Sequence, residues 1–127
     1  MPDYKKYYIV PEEPSIVYQA LVNPLTLSLW TGFPAYMSEE VGDEFSLWDG
    51  NIVGRNLAFE AGKMIKQEWY FGEREEESIV TIKLHPHKKG SSVELQHTNI
   101  PEEDFEAMVE GWDNTYFADL IEFYEGE

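Results

Sequence analysis

The sequence predicts an α+β fold in which a curved antiparallel sheet wraps around one long C-terminal helix. Three observations carry that expectation. A β-rich opening segment is followed by two short helix signals. Residues 44 to 98 then alternate apolar and polar side chains in short runs separated by turn residues. Beyond Ile100-Pro101 the period changes from two to about 3.6, which marks a helix.

Tyr4 to Val10 is rich in β-formers, and Pro11-Glu12-Glu13-Pro14 stops it while supplying acids for a helix start. Ile16, Val17, Ala20 and Leu21 recur at helical spacing until Asn23-Pro24, which ends that helix and begins a second reaching about Trp30. Glu44 to Trp48 and Asn51 to Phe59 flank Asp49-Gly50, a strong two-residue hairpin signal. Lys63 to Phe71 follows, with Ile65, Gln67, Trp69 and Phe71 on its inner face. The acidic stretch Glu73 to Glu77 reads as a solvated connection. Ser78 to Leu84, a turn at Pro86 to Ser91, and Ser92 to Thr98 complete the meander, for about six strands after the helices. Finally, Phe105, Val109, Trp112, Tyr116, Leu120 and Phe123 form one stripe of a helix expected from Glu102 to Tyr124, widened by Met108, Phe117, Ile121 and Tyr124. A helix of that length crosses a whole sheet, and leaves room for a cavity between the two layers.

At 127 residues the chain is expected to be a single domain spanning 1–127, large enough for a real core. Nine Lys and Arg against 25 Asp and Glu give a net charge of −16, which repels phosphate backbones and anionic lipid surfaces. Nucleic acid and membranes are therefore not expected partners. Residues 101 to 127 hold ten of the acids and no base, so a partner docking there would be basic or neutral. With no cysteine, the chain lacks disulfides, thiolate nucleophiles and thiolate metal sites. Its opening residues carry no signal pattern, so a cytoplasmic location is expected. The oligomeric state is left open, since parity does not say which of the aromatic residues stay exposed.

Few residues are candidates for chemistry. Gln67 and His97 fall on inner faces otherwise lined by apolar side chains, where a polar group needs a partner. Either they orient a ligand's polar end, or each bonds a neighbour and orders the core. Arg55 shares the parity of Val53, Leu57 and Phe59 and so could face a cavity or reach back to water. Trp48, Phe59, Trp69, Trp112 and Tyr116 supply apolar and π surface suited to a flat ligand or simply to packing. Gly111 inside the long helix costs about 1 kcal/mol relative to alanine, which points to close backbone approach or a kink. His85 and His87 face the same way on an extended segment, but a third ligand is missing and Lys88-Lys89 oppose a cation, so no metal is expected. The sequence has no nucleophile elbow, phosphate loop or dinucleotide pattern; neither cofactor nor enzymatic activity is expected.

Val17-Tyr18-Gln19-Ala20-Leu21, Asn23-Pro24, Trp30-Thr31, Gly42, Phe45-Ser46-Leu47-Trp48-Asp49-Gly50 and Gly54 occur in that order. So do Gln67-Glu68-Trp69, Ser78-Ile79-Val80-Thr81-Ile82, Leu95-Gln96-His97, Ile100-Pro101 and Gly111-Trp112 with Tyr116. In these residues the chain resembles the C-terminal domain of activators of heat-shock protein 90 ATPase, within the START-like SRPBCC superfamily. The resemblance implies a helix-grip (START-like, Bet v-like) fold with an apolar cavity that relatives use for hydrophobic ligands. It implies no defined activity for single-domain members. Two departures are expected to matter: 127 residues leave no room for the separate N-terminal chaperone-binding domain of the eukaryotic activators, so strong ATPase stimulation is not expected, and Tyr70 occupies a position that is often basic.

The leading expectation is a protein that encloses a small hydrophobic or amphipathic molecule between helix and sheet, with Trp48, Arg55, Phe59, Gln67, Trp69, His97, Trp112 and Tyr116 as ligand-binding residues. The alternative is a chaperone-associated interaction module, for which the acidic C-terminal helix offers an outer face. Hydrolase or cyclase chemistry, resting on His97 alone as a general base, comes last.

Overall fold

The computed structural model describes residues 2–72 and 77–126. Its strands are β1 (Tyr4–Val10), β2 (Glu44–Leu47), β3 (Ile52–Glu60), β4 (Met64–Trp69), β5 (Ser78–His87) and β6 (Gly90–Thr98). They form one antiparallel sheet in the order β1-β6-β5-β4-β3-β2. Among the described residues five strands therefore follow the helices, against the six or so expected. Between β1 and β2 lie α1 (Pro14–Val22) and α2 (Pro24–Thr31). Asn23 makes this junction: its side-chain oxygen accepts from the backbone N–H groups of Leu25 and Thr26, capping α2, while Pro24 opens that helix without wasting a donor.

The long C-terminal helix is present but not uniform. A 3₁₀ turn (Glu102–Asp104) leads into α3 (Phe105–Gly111), then a π turn (Trp112–Tyr116), then α4 (Phe117–Glu125). The π turn is marked by the Phe117 N–H reaching the Trp112 carbonyl, one residue further than an α-helical bond. The expected apolar stripe is buried only from Trp112 onward, at Trp112, Tyr116, Phe117 and Leu120. Phe105, Met108 and Val109 stay half-buried, so α3 contributes no buried residue and stands off the sheet.

The core fills the space between the helices and the inner face of the sheet. Val10, Ile65, Val80, Ile82, Leu84, Val93 and Leu95 project from the strands, and Val17, Tyr18 and Leu21 cover them from α1. Strict alternation in β4, β5 and β6 put these residues inside, as the period-two pattern requires. Two connections differ from expectation. The β2–β3 link is a four-residue turn, Trp48 to Asn51, with Trp48, Asp49 and Gly50 all at positive φ (51°, 54° and 86°). And β5 continues past Leu84 to His87, so Pro86 lies in a strand paired with Ser91. Of the acidic connection Glu73 to Glu77, all but Glu77 lie outside the described residues.

Candidate functional site

Five indole or phenol rings meet where the π turn faces the sheet. Trp69 of β4 stacks on Trp112 with ring centroids 4.7 Å apart and planes 28° from parallel. Tyr116 lies 4.8 Å from Trp112 and 5.6 Å from Trp48, and Trp30 meets Trp48 edge-on at 5.5 Å. A tryptophan at positive φ is an uncommon and strained conformation, tolerated where the surroundings over-determine it. Here it holds the Trp48 indole between Trp30 and Tyr116.

The two stacked indoles are each tied by their N–H to a buried polar chain. Trp69 Nε1–H donates to Gln67 Oε1 at 3.0 Å, the Gln67 amide donates to Asn56 Oδ1 at 3.4 Å, and Asn56 donates to the Ser38 carbonyl at 3.0 Å. Trp112 Nε1–H points to His97 Nδ1 at 3.1 Å, and His97 Nε2 lies 2.8 Å from Ser78 Oγ, which in turn reaches the Thr98 carbonyl. Because an indole nitrogen can only donate, His97 Nδ1 must accept, which fixes the neutral tautomer with its proton on Nε2. A second proton on the ring would set N–H against N–H. Burial pushes the His97 pKa down to about 4, with only slight opposition from Asp3.

The consequence for stability has a definite sign. The unfolded histidine titrates near 6.5 and takes up a proton that the folded ring refuses, so stability is lost as pH falls from about 6.5 toward 4 and is unaffected above 7. The expected slope between pH 6.5 and 5 averages about 1 kcal/mol per pH unit, and the total is on the order of 3 kcal/mol. Urea midpoints of wild type and His97→Gln measured across that window check this. Parallel curves would overturn it.

Beside the indole stack lies a cavity of about 210 Å³ bounded by Trp48, Asn51 and Ile52 of the β2–β3 turn, Trp69 of β4, and Met108, Gly111, Trp112, Thr115 and Tyr116 of the helix. It occupies the space under α3, where that helix stands off the sheet. Gly111 borders it, and a Cβ placed there would meet nothing within 4 Å. The close backbone approach expected at Gly111 is thus not found, while the break in helical regularity is, starting at the next residue.

Of the eight expected site residues, Trp48, Trp69, Trp112 and Tyr116 line the cavity. Gln67 and His97 do not line it; each is hydrogen-bonded to neighbours and receives an indole N–H, Gln67 from Trp69 and His97 from Trp112. Arg55 is on the opposite face of the sheet, where its Nε donates to Glu68 at 2.8 Å and its guanidinium reaches Glu77 at 3.6 Å. Phe59 packs on the core away from the cavity. The parity that grouped Arg55 with Phe59 fails because β3 is bulged between Asn56 and Ala58. One extra residue on one strand reverses which side chains face inward beyond it. Asn56, fully buried, is the residue this reading missed; it also fixes the loop before β2 through its backbone bonds to Gly42 and Asp43.

The π turn is anchored from its outer side. Asp113 Oδ1 accepts from Tyr8 Oη at 2.6 Å, Lys6 Nζ at 2.9 Å and Tyr4 Oη at 3.2 Å, all on β1. These donors, Lys6 foremost, hold the Asp113 carboxyl below its usual range. Tyr8 also stacks on Phe117, with centroids 4.1 Å apart. Among the described residues no group of three His, Asp or Glu side chains is placed to hold a metal, and no helix is long and apolar enough to cross a membrane. His85 pairs instead with Glu94 at 3.1 Å.

A curved sheet gripping a C-terminal helix over an aromatic cavity defines the START-like, helix-grip class. Within that class the chain belongs to the family of activator of Hsp90 ATPase homolog 1-like proteins, whose model matches residues 12–124. It is 34% identical over 102 residues to an activator of 90 kDa heat shock protein ATPase homolog from Dictyostelium discoideum, covering 78% of this chain and 27% of the relative. The chain thus corresponds to about a quarter of that protein. Its fold matches that of an HSP90 activator from Plasmodium falciparum, with TM-score 0.82 and 23% identity over 98% of this chain and 96% of the other. It also matches the Aha1 dimer from Colwellia psychrerythraea, with TM-score 0.81 and 17% identity over 96% and 95%.

Proposed function

We propose that the protein binds a small hydrophobic or amphipathic molecule in the cavity between the C-terminal helix and the sheet, without covalent chemistry. The observation that carries this reading is the cavity itself: aromatic on most sides, about 210 Å³, and bordered by Gly111, which adds no side chain to the lining. An apolar hollow of this kind gives up dispersion contacts unless something occupies it. A catalytic reading has no support from His97, which is sealed, neutral and hydrogen-bonded at both nitrogens.

Native and denatured masses of freshly purified protein test the reading. A reproducible extra mass released on denaturation is expected. Gly111→Leu should weaken it, because it adds a bulky side chain to the cavity lining, while leaving the helix intact or firmer by up to about 1 kcal/mol. A protein without extra mass, whose tryptophan fluorescence also ignores a broad hydrophobic library, would overturn it.

Family membership favours a second reading, a chaperone-associated module. Leu25 and Leu29, four apart on α2, are 70% and 62% exposed, and Phe33 follows at 46%. With the acids of the C-terminal segment they give the protein both an apolar and an acidic outer surface. The same preparation, applied to the host's Hsp90 at low salt where charge contacts are strongest, decides this point. Failure to bind there would overturn the second reading.

A further inference from the structure

We propose that the cavity selects a flat, uncharged molecule of about two fused rings whose single polar atom accepts a hydrogen bond from the Tyr116 hydroxyl. This rests on the binding reading above and adds the chemical class of the ligand.

The size follows from the volume. An apolar cavity of about 150 Å³ is enough to hold benzene; about 210 Å³ accommodates a second fused ring, and a steroid nucleus or long acyl chain would extend past the rim into water. Shape follows from the walls, since Trp48, Trp69, Trp112 and Tyr116 present ring faces and edges that favour a planar guest over a branched one. The charge state follows from what is missing. Apart from the Tyr116 phenol, no lining residue is titratable, so neither a carboxylate nor an ammonium would find a counter-ion in place of its lost water.

The polar atom follows from Tyr116. Its ring is 4% exposed, yet its hydroxyl has no hydrogen-bond partner among the described residues, unlike Tyr4, Tyr8, Tyr18 and Tyr70, which all donate to carboxylates. No described side-chain oxygen is both sealed and unpartnered, so the Tyr116 oxygen keeps contact with open space, and the open space it lines is the cavity. A hydroxyl that opens onto the cavity with no protein partner is free to donate to a bound molecule. Burial also pushes its pKa up, so it stays a proton donor across the physiological range. Asn51 and Thr115, the other polar lining residues, are exposed and form the rim.

The test uses 1-tetralone and tetralin, two bicyclic probes of nearly the same shape that differ by one carbonyl oxygen. Each is titrated into the full chain and into Tyr116→Phe, following the indole N–H resonances of Trp69 and Trp112. Removing a hydroxyl that has no protein partner should leave the denaturation midpoint of the variant unchanged or higher. The preference for 1-tetralone over tetralin is expected to be about five- to tenfold greater in wild type than in Tyr116→Phe. An identical preference in the two proteins would overturn the role of Tyr116 while leaving the cavity a binding site. A tetracyclic steroid binding as tightly as 1-tetralone would overturn the size limit. If neither bicyclic probe shifts either resonance at millimolar concentration, the binding reading falls with it.

Discussion

Trp112→Ala should destabilise the protein by about 4 kcal/mol. The indole is 2% exposed and packs simultaneously against Trp69, Tyr116, Phe117 and the His97 ring. Truncation removes those contacts next to a hollow that already exists, so the surroundings have little with which to refill the space, and cavity terms are largest where collapse is prevented. It also leaves His97 Nδ1 without its donor, which adds to the cost. Trp112→Phe separates the two contributions: it retains a ring in the stack and loses only the N–H, for about 1–2 kcal/mol. Burial, the main cause of the low His97 pKa, is unchanged in that variant, so the acid sensitivity below pH 6.5 should persist. Denaturant midpoints at pH 7 and pH 5 for both variants check this, and a loss below about 1 kcal/mol for alanine would mean that the stack does not hold the helix to the sheet.

Gly54→Ala, although it adds a single methyl group, should cost about 3 kcal/mol or more, at or beyond the upper end for overpacked cores. Gly54 sits in β3 opposite Phe45 on one side and Trp69 on the other. A Cβ there would run into the Glu68 carbonyl and stand 2.9 Å from Phe45 Cζ. The Phe45 ring could swing aside, but the carbonyl belongs to the backbone of β4, so relief requires strands β3 and β4 to separate next to the cavity wall. A midpoint within about 1 kcal/mol of wild type would show that the strands part easily there.

These two positions also show what the sequence could and could not tell. Where alternation is unbroken, as in β4 and β6, the inner residues Ile65, Gln67, Trp69, Val93, Leu95 and His97 were all legible, and so was the capping Asn23-Pro24 junction. The aromatic wall of the site followed from them, because a regular strand opposite a regular stripe brings its large residues together. Parity failed at β3, where a bulge carries no signature in residue type, and Arg55 and Phe59 parted to opposite sides. It failed again at the helix, since the π turn changes the angle between residues without changing their identity; Gly111 was its one trace. Asp-Gly marked the β2–β3 turn correctly but not its length, which depends on Trp48 being held at positive φ by rings from distant segments. Asn51 and Thr115, as exposed polar residues, belong to no pattern at all.

The attachment of Asp113 to β1 has a consequence for how the chain folds. Tyr4 and Tyr8 reach a carboxylate 109 and 105 positions away, and β1 is an edge strand that among the described residues pairs with β6 alone. Closing so long a loop is entropically demanding, and folding slows as native contacts join more distant parts of a chain. The meander from β2 to β6 can form from neighbours alone; the first strand has nowhere to dock until β6 exists, and its clamp is incomplete until the π turn has formed. The strand that comes first in the sheet's chain order is therefore among the last to find its place.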